Sequence, residues 1–347
     1  MVTLADVARH AGVAQSTVSY VLSGKRAISP ATRRRVERSI RALGYRPHAG
    51  ARALASRRTS VLALVTPLRP DLSTAVAMEF VISVVAAARR HAHDVLLLTN
   101  DEGPEGLRRV AGTALVDGFV LMDVQLRDER IPVLRDLGLP GVLIGAPEDT
   151  SGLTCVDLDF TGAGARCVDH LADLGHRSIA FIGPSEEAYR RGAGFAVRTL
   201  SGVTAQAAAR GVACETLTCA GTREDVDAVV DRLLLHDPRV TGLVIHNETA
   251  LPVVLDALRA AGRAVPRDIA VAAIAPQDIA QAVKPAISAV DLPAEEMGQR
   301  AVDLLMAKLG GEPELTTTLL APRLVVRASS GAPSGDAEAP PPERVPG

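Results

Sequence analysis

The stretch Gln15-Ser16-Thr17-Val18-Ser19-Tyr20 concentrates short amides and hydroxyls in a chain otherwise poor in chemistry-bearing clusters. A glutamine amide can bond both edge atoms of an adenine in the major groove, and a tyrosine offers one hydroxyl and an apolar ring, suited to an acceptor atom or a thymine methyl. Ser16 and Ser19 can touch bases or phosphates. Catalytic signatures are missing. No GxGxxG follows the first strand-like run, no GxxxxGK[ST] is present, and no GxSxG elbow occurs. The four cysteines (Cys155, Cys167, Cys214, Cys219) lack CxxC spacing and histidine partners, so they read as small buried hydrophobes rather than zinc ligands or a disulfide framework. His170 and His176, in DHLADLGHRSIAF, bracket a helix end and read as structural rather than metal-binding or basic. No metal and no cofactor are expected.

The reading side chains need a scaffold, and the first 60 residues provide it. They hold 12 Lys/Arg against two acids, Asp6 and Glu37, a net +10, although the whole chain carries −2. A basic head on an acidic body suggests that the head meets a polyanion. Thr3 is a plausible N-cap for a short helix with Leu4, Val7, Ala8 and Ala11 on one face. Gly12 turns the chain and Val13 plugs the turn. A second helix from about Gln15 to Leu22 places Val18, Val21 and Leu22 inward and Gln15, Ser16, Ser19 and Tyr20 outward. Ser29-Pro30 begins a third helix with Ser29 as cap, Val36, Ile40 and Leu43 as core and Gly44 as the stop. Arg33, Arg34, Arg35, Arg38 and Arg41 decorate it. Two short helices joined by a turn containing glycine make a helix-turn-helix; a generic three-helix bundle is the competing reading.

From residue 60 onward, apolar runs alternate with helical stretches. VLALVTP, DVLLLTND, DGFVLM and GVLIGA come first, and the pattern restarts with TCVDLD, SIAFIGP, CETLTCA, GLVIHN and IAVAAIA. Short apolar runs separated by helices signal parallel sheets of βαβ units. Two sets imply two Rossmann-like lobes, with ligands beyond the carboxyl ends of the strands. No run of 18 apolar residues exists, so no membrane span is expected, and the N-terminus does not read as a signal peptide, which makes the cytoplasm the expected location. Trp is absent, and five Phe with three Tyr supply few rings for a sugar site built from stacked aromatics.

The pieces TLADVARHAGV, TVS, VLSG, the Ser/Pro-led third helix, LGYRP and ARALA resemble, in order, the start of a lactose-repressor (LacI/GalR) family regulator. The likeness extends to about residue 328. It implies an all-α helix-turn-helix head (1–46), a hinge helix (47–59), and an α/β periplasmic-binding-protein-like body (60–328). In that body two lobes exchange chain near 155–160, 287–292 and 318–322. It also implies a double-stranded pseudo-palindromic operator as partner, a homodimer, and a small-molecule effector, with repression the expected outcome. The residues it assigns to DNA are Thr3, Gln15, Ser16, Thr17, Ser19, Tyr20 and Ser29, with Arg52, Leu54 and Arg57 from the hinge. Leu54 matches the wedge that pries open a central base step; an ordinary intramolecular contact is its alternative. Tyr20 stands where the family commonly has Arg, Ala14 where a capping Ser or Asp is frequent, and His48 where Asn is often seen.

For the effector, the resemblance points to Arg191, three residues before Gly194-Phe195, and to Asn247-Glu248 at a strand end. An ion pair for Arg191 and helix capping for Asn247 and Glu248 are the competing roles. In AAIAPQD, Ala275 and Pro276 replace the family's two aspartates, and Ala275 cannot accept a hydroxyl bond. A monosaccharide, a less polar or phosphorylated ligand, or none at all therefore remain open. The helical AVAMEFVISVVAAA stretch suits either a dimer face or a buried core. The tail from Ser329 to Gly347, rich in Pro, Ala and Gly without heptads, is expected to be disordered and unable to form a tetramerising coiled coil. The rival to a DNA-binding regulator is a small-molecule binding or transport-receptor protein with no DNA role.

Overall fold

The structure, a computed structural model, describes residues 2–23, 26–45, 58–236, 239–312 and 315–333. The expected hinge residues Arg52, Leu54 and Arg57, with His48, lie outside them.

Among the described residues the head is three helices, the first and third set by their caps. In α1 (Leu4–Ala11), the Thr3 hydroxyl accepts the Asp6 N–H and the Asp6 carboxylate accepts the Thr3 N–H, a reciprocal box that satisfies two orphan donors. Gly12 sits at φ 61°, where a side chain would strain the backbone, and its N–H returns to Ala8 and Arg9 carbonyls. The turn lays Val13 over the core and releases α2 (Gln15–Ser23). α3 (Pro30–Leu43) starts on the Ser29 hydroxyl and ends at Gly44, φ 60°. Val7, Ala8, Ala11, Val18, Val21 and Val36 fill the core. Leu22 departs from its expected inward place and is 37% exposed. The i, i+3 pair Val18 and Val21 occupies the space, and buried Tyr45, arriving after Gly44, closes it.

The body is two parallel sheets with helices on both faces, and all nine apolar runs are strands. The first lobe runs β1 (Val61–Val65), α4 (Thr74–Arg90), β2 (Asp94–Leu98), α5 (Gly103–Gly112), β3 (Gly118–Leu121), α6 (Arg130–Asp136), β4 (Gly141–Ile144) and β5 (Cys155–Leu158). The chain crosses at Asp159, whose side chain caps α7 (Phe160–Asp173). The second lobe continues with β6 (Ser178–Gly183), α8 (Glu186–Arg190), α9 (Gly194–Arg210), β7 (Ala213–Thr218), α10 (Arg223–His236), β8 (Gly242–Ile245), α11 (Ala250–Ala260), β9 (Ala270–Ile274), α12 (Gln277–Ala282) and β10 (Ser288–Val290). It returns through α13 (Ala294–Gly310) and β11 (Thr317–Leu320) to the first lobe, then ends on β12 (Leu324–Val325) in the second. The sheet orders are β11-β5-β4-β3-β1-β2 and β12-β10-β9-β8-β6-β7, and among the described strands every pairing is parallel except β10 with β12. Three strands of chain therefore form the waist. No described helix is long and apolar enough to cross a membrane.

Two glycines set the spacing inside the second lobe. A Cβ on Gly202 of α9 would lie 2.0 Å from the Thr161 carbonyl oxygen, and one on Gly164 of α7 would lie 2.6 Å from that of Thr199. The helices pack backbone to backbone there, which only glycine permits.

Residues 329–333, the start of the expected disordered tail, depart from that expectation, and residues 334–347 lie outside the described ones. Order does not stop at Ser329, which is fully buried: its hydroxyl donates to the Val271 carbonyl at 2.6 Å and accepts from the Ser288 N–H at 2.8 Å. His170 holds the Ser330 hydroxyl at 2.7 Å and His176 the Gly331 carbonyl at 2.9 Å. The two histidines of the helix-end turn are thus structural joints, and they supply the partners that composition alone did not reveal. Cys155, Cys167 and Cys219 are buried, and Cys214 is half-buried.

Candidate DNA interface and interlobe cavity

The expected reading residues of the head differ in exposure. Gln15 and Ser16 are exposed at the start of α2, and Thr17, Ser19 and Tyr20 are half-buried along it. Ala14 has no capping side chain; its carbonyl accepts the Thr17 and Val18 N–H groups. Thr3 and Ser29 are exposed, but each spends its hydroxyl at a helix start, Thr3 on Asp6 and Ser29 on Thr32. What they present outward is a helix N-terminus, which attracts phosphate. Arg26 lies 5.8 Å from the Tyr20 ring centroid, a cation–π distance. Arg33, Arg34, Arg35, Arg38 and Arg41 are exposed along α3.

Between the lobes, at the carboxyl ends of both sheets, lies a cavity. Asp71 and Asp123 follow β1 and β3, Asp157 lies near the end of β5, and His246, Asn247 and Glu248 follow β8. Four carboxyl groups (Asp71, Asp123, Asp157, Glu248) line it, and among the described residues no Lys or Arg does. Phe80, Phe160 and Phe195 form the apolar side. Aromatics are as scarce as composition said, yet three of the five phenylalanines stand here. Burial pushes the Asp157 carboxyl up to about 7, partly offset by Arg198 at 3.9 Å. Burial also raises Glu248 above the usual carboxylate range.

The expected effector residues divide. Asn247 and Glu248 line the cavity; Arg191 and Ala275 are not among its lining residues. The Asn247 amide donates to the Cys219 carbonyl at 2.7 Å and accepts the Ala250 N–H at 2.9 Å, fastening the start of α11. Arg191, from the second lobe, reaches Asp71 and, at 3.3 Å, Asp123 of the first. Ala275 is buried in the core, its N–H on the Val290 carbonyl. Arg191 thus bridges the lobes by holding two of the cavity's carboxylates from behind. Backbone bonds run beside it, Gly194 N–H to Val124 O at 3.1 Å and Leu126 N–H to Gly192 O at 2.8 Å. Sequence reasoning missed Asp71, Asp123, Asp157, His246 and the three phenylalanines. The strand-end positions of Asp123 in DGFVLMD and His246 in GLVIHN were the available signal.

Residues 3–48 match the bacterial regulatory proteins of the lacI family, and residues 168–330 match a periplasmic binding protein-like domain. The chain is 34% identical over 342 residues to the HTH-type transcriptional regulator CelR of Thermobifida fusca, covering 94% of this chain and 98% of that protein. It is 27% identical over 318 residues to catabolite control protein A of Priestia megaterium, covering 90% and 93%. Among solved structures, a CelR–cellobiose complex superposes with a TM-score of 0.66 at 29% identity, covering 95% of this chain and all of that one. The lac repressor dimer bound to operator and the anti-inducer ONPF superposes at 0.82, with 21% identity and coverage of 95% and 99%, a likeness of fold. A capped helix-turn-helix carrying a basic third helix, joined to a two-lobed body with a strand-end cavity, and a relative matched along nearly its whole length together place this chain in the lacI family of DNA-binding transcriptional regulators.

Proposed function

We propose that the protein is a repressor that binds a pseudo-palindromic operator as a dimer in the cytoplasm, and that an uncharged sugar entering the interlobe cavity governs that binding. Two heads would read successive major grooves through Gln15, Ser16, Thr17, Ser19 and Tyr20. The helix starts at Thr3 and Ser29 and the arginines of α3 would hold phosphates. Residues 47–59 would pair over the centre of the site, with Leu54 as wedge and Arg52 and Arg57 on phosphates. The dimer reading is supported by α4, which buries Phe80, Val81 and Val84 but leaves Met78, Ile82 and Val85 exposed as an apolar stripe. The reading contains no catalytic step.

The observation that carries the effector class is the cavity's lining: four carboxyl groups, two of them already paired with Arg191, and no Lys or Arg among the described lining residues. Carboxyl groups hydrogen-bond sugar hydroxyls, whereas a phosphate there would find no lining cation to pair with. That supports a neutral ligand over the phosphorylated one left open by the sequence, and cellobiose, the ligand of the CelR complex, is the first candidate. Arg191 and Asn247 would act on it through Asp71, Asp123 and the cavity wall, and Glu248 directly. The test is operator binding by the full chain, titrated separately with cellobiose and with glucose 6-phosphate. Cellobiose is expected to change the affinity at least tenfold and the phosphorylated sugar to leave it unchanged. A response to the phosphorylated sugar, or to neither, overturns the effector reading.

A further inference from the structure

His246 occupies an unusual place. It follows β8 directly, lines the interlobe cavity and is 3% exposed. Its ring stacks on Phe160 at 5.6 Å and 24°, and Phe195 meets it edge-on at 5.6 Å and 78°. The two phenylalanines thus fix the imidazole plane from two sides, and they belong to two different helices of the second lobe, α7 and α9. Nδ1 is buried with no hydrogen-bond partner among the described residues. Burial without a compensating partner holds the ring's pKa down, to about 4, so it is neutral at physiological pH, with one N–H donor and one acceptor nitrogen.

A histidine kept only for packing would be better replaced by an apolar ring, because an unpaired buried polar group is costly. The other unpartnered buried nitrogens near this cleft belong to arginines already in cross-lobe ion pairs, Arg191 and Arg198. His246 has no such second duty. The carboxyl groups of the cavity can only accept hydrogen bonds while ionised, and the phenylalanines can do neither. A hydroxyl both donates and accepts, and a neutral imidazole, like the Thr66, Ser73 and Thr249 hydroxyls that also line the cavity, matches it in either sense without adding charge; His246 differs from them in being clamped between two aromatic rings.

We propose that His246 is a specificity-determining residue, its imidazole held by Phe160 and Phe195 so that a ring nitrogen hydrogen-bonds a hydroxyl of the neutral effector. This rests on the effector reading above. In it the aromatic pair positions the imidazole, and the imidazole selects ligands that carry a hydroxyl at one place on the ring. Loss of that hydroxyl leaves a buried nitrogen unpaired, which is the arrangement that gives the strongest discrimination against an analogue lacking the group.

The experiment uses the full chain, titration calorimetry with cellobiose and its monodeoxy analogues, and His246→Phe, which keeps a ring between the two phenylalanines. His246→Asn restores a polar atom as the conservative variant. Melting temperature and operator binding without sugar report the fold. The parent is expected to lose at least tenfold in affinity for one monodeoxy analogue. His246→Phe is expected to bind cellobiose at least tenfold more weakly than the parent and to treat that analogue and cellobiose alike, with His246→Asn recovering part of the loss. If His246→Phe binds cellobiose within twofold of the parent, or still distinguishes the same analogue, the assignment is overturned while the effector reading stands. If the parent binds none of these sugars, the effector reading falls first and this one with it.

Discussion

Arg191 is the strongest test of how the lobes are held together. Its side chain is 9% exposed, and its partners Asp71 and Asp123 are 12% and 5% exposed, so the cross-lobe pairs are largely out of water. Replacing Arg191 with Met keeps the apolar stem and removes the charge. Breaking a buried ion pair by removing one partner costs roughly 3–5 kcal/mol, because the charge left behind is uncompensated. Here Arg69 also holds Asp123 and, at 2.7 Å, Asp101, so Asp123 is not abandoned. That places the expected loss at the lower end, about 3 kcal/mol. The loss falls on the arrangement in which Arg191 bridges the lobes. The lobes are therefore expected to part until the carboxylates hydrate, opposed by the two cross-lobe backbone bonds and by the Arg198 bond to the Pro147 carbonyl at 3.0 Å. Urea unfolding should show the stability loss, and small-angle scattering should show a larger radius of gyration. A variant within 0.5 kcal/mol of the parent, with unchanged scattering, would refute the claim that these pairs hold the lobes together.

Three further outcomes follow from the geometry. Gly202→Ala should destabilise the second lobe by roughly 2 kcal/mol, since its methyl would sit 2.0 Å from a carbonyl oxygen of an unyielding helix; a melting temperature equal to the parent's would contradict the packing. His246 has a folded pKa of about 4 against 6.5 unfolded, so the unfolded chain binds more protons between those values and stability drains away as pH falls through the window. Asp157, raised to about 7, acts oppositely there, because its carboxyl takes up a proton in the folded state first. His246→Phe should therefore gain about 3 kcal/mol relative to the parent between pH 7 and pH 4, whatever Asp157 contributes, and parallel pH–stability curves would disprove it. Tyr20→Ala should relax base choice at one symmetric pair of operator positions, and an unchanged preference in selected sequences would remove Tyr20 from the reading surface.

The elements were legible because their signals are local. Thr3, Gly12, Ser29 and Gly44 mark the helix ends, and apolar runs bounded by Gly and Pro mark the strands. Leu22 was misplaced because spacing puts Val18, Val21 and Leu22 on one stripe and says nothing of Tyr45 arriving from beyond α3. The cavity was only half visible. Arg191, Asn247 and Glu248 came from resemblance, and two of them line the cavity. Phe80, Phe160, Phe195 and His246 are separated by up to 166 positions and meet only when two sheets and two crossovers are assembled. Ser329 differs from expectation because its partners, Val271 and Ser288, lie in two strands distant in sequence, which the local composition around it does not report.

The measurement that bears most directly on the account is selection of bound duplexes from a random pool by the full chain, followed by the salt dependence of binding to the winner. A two-fold symmetric consensus is expected, with an affinity that falls steeply and linearly with salt on logarithmic axes because binding releases counterions condensed on the phosphates. Sequences without symmetry, or binding indifferent to salt, would contradict it.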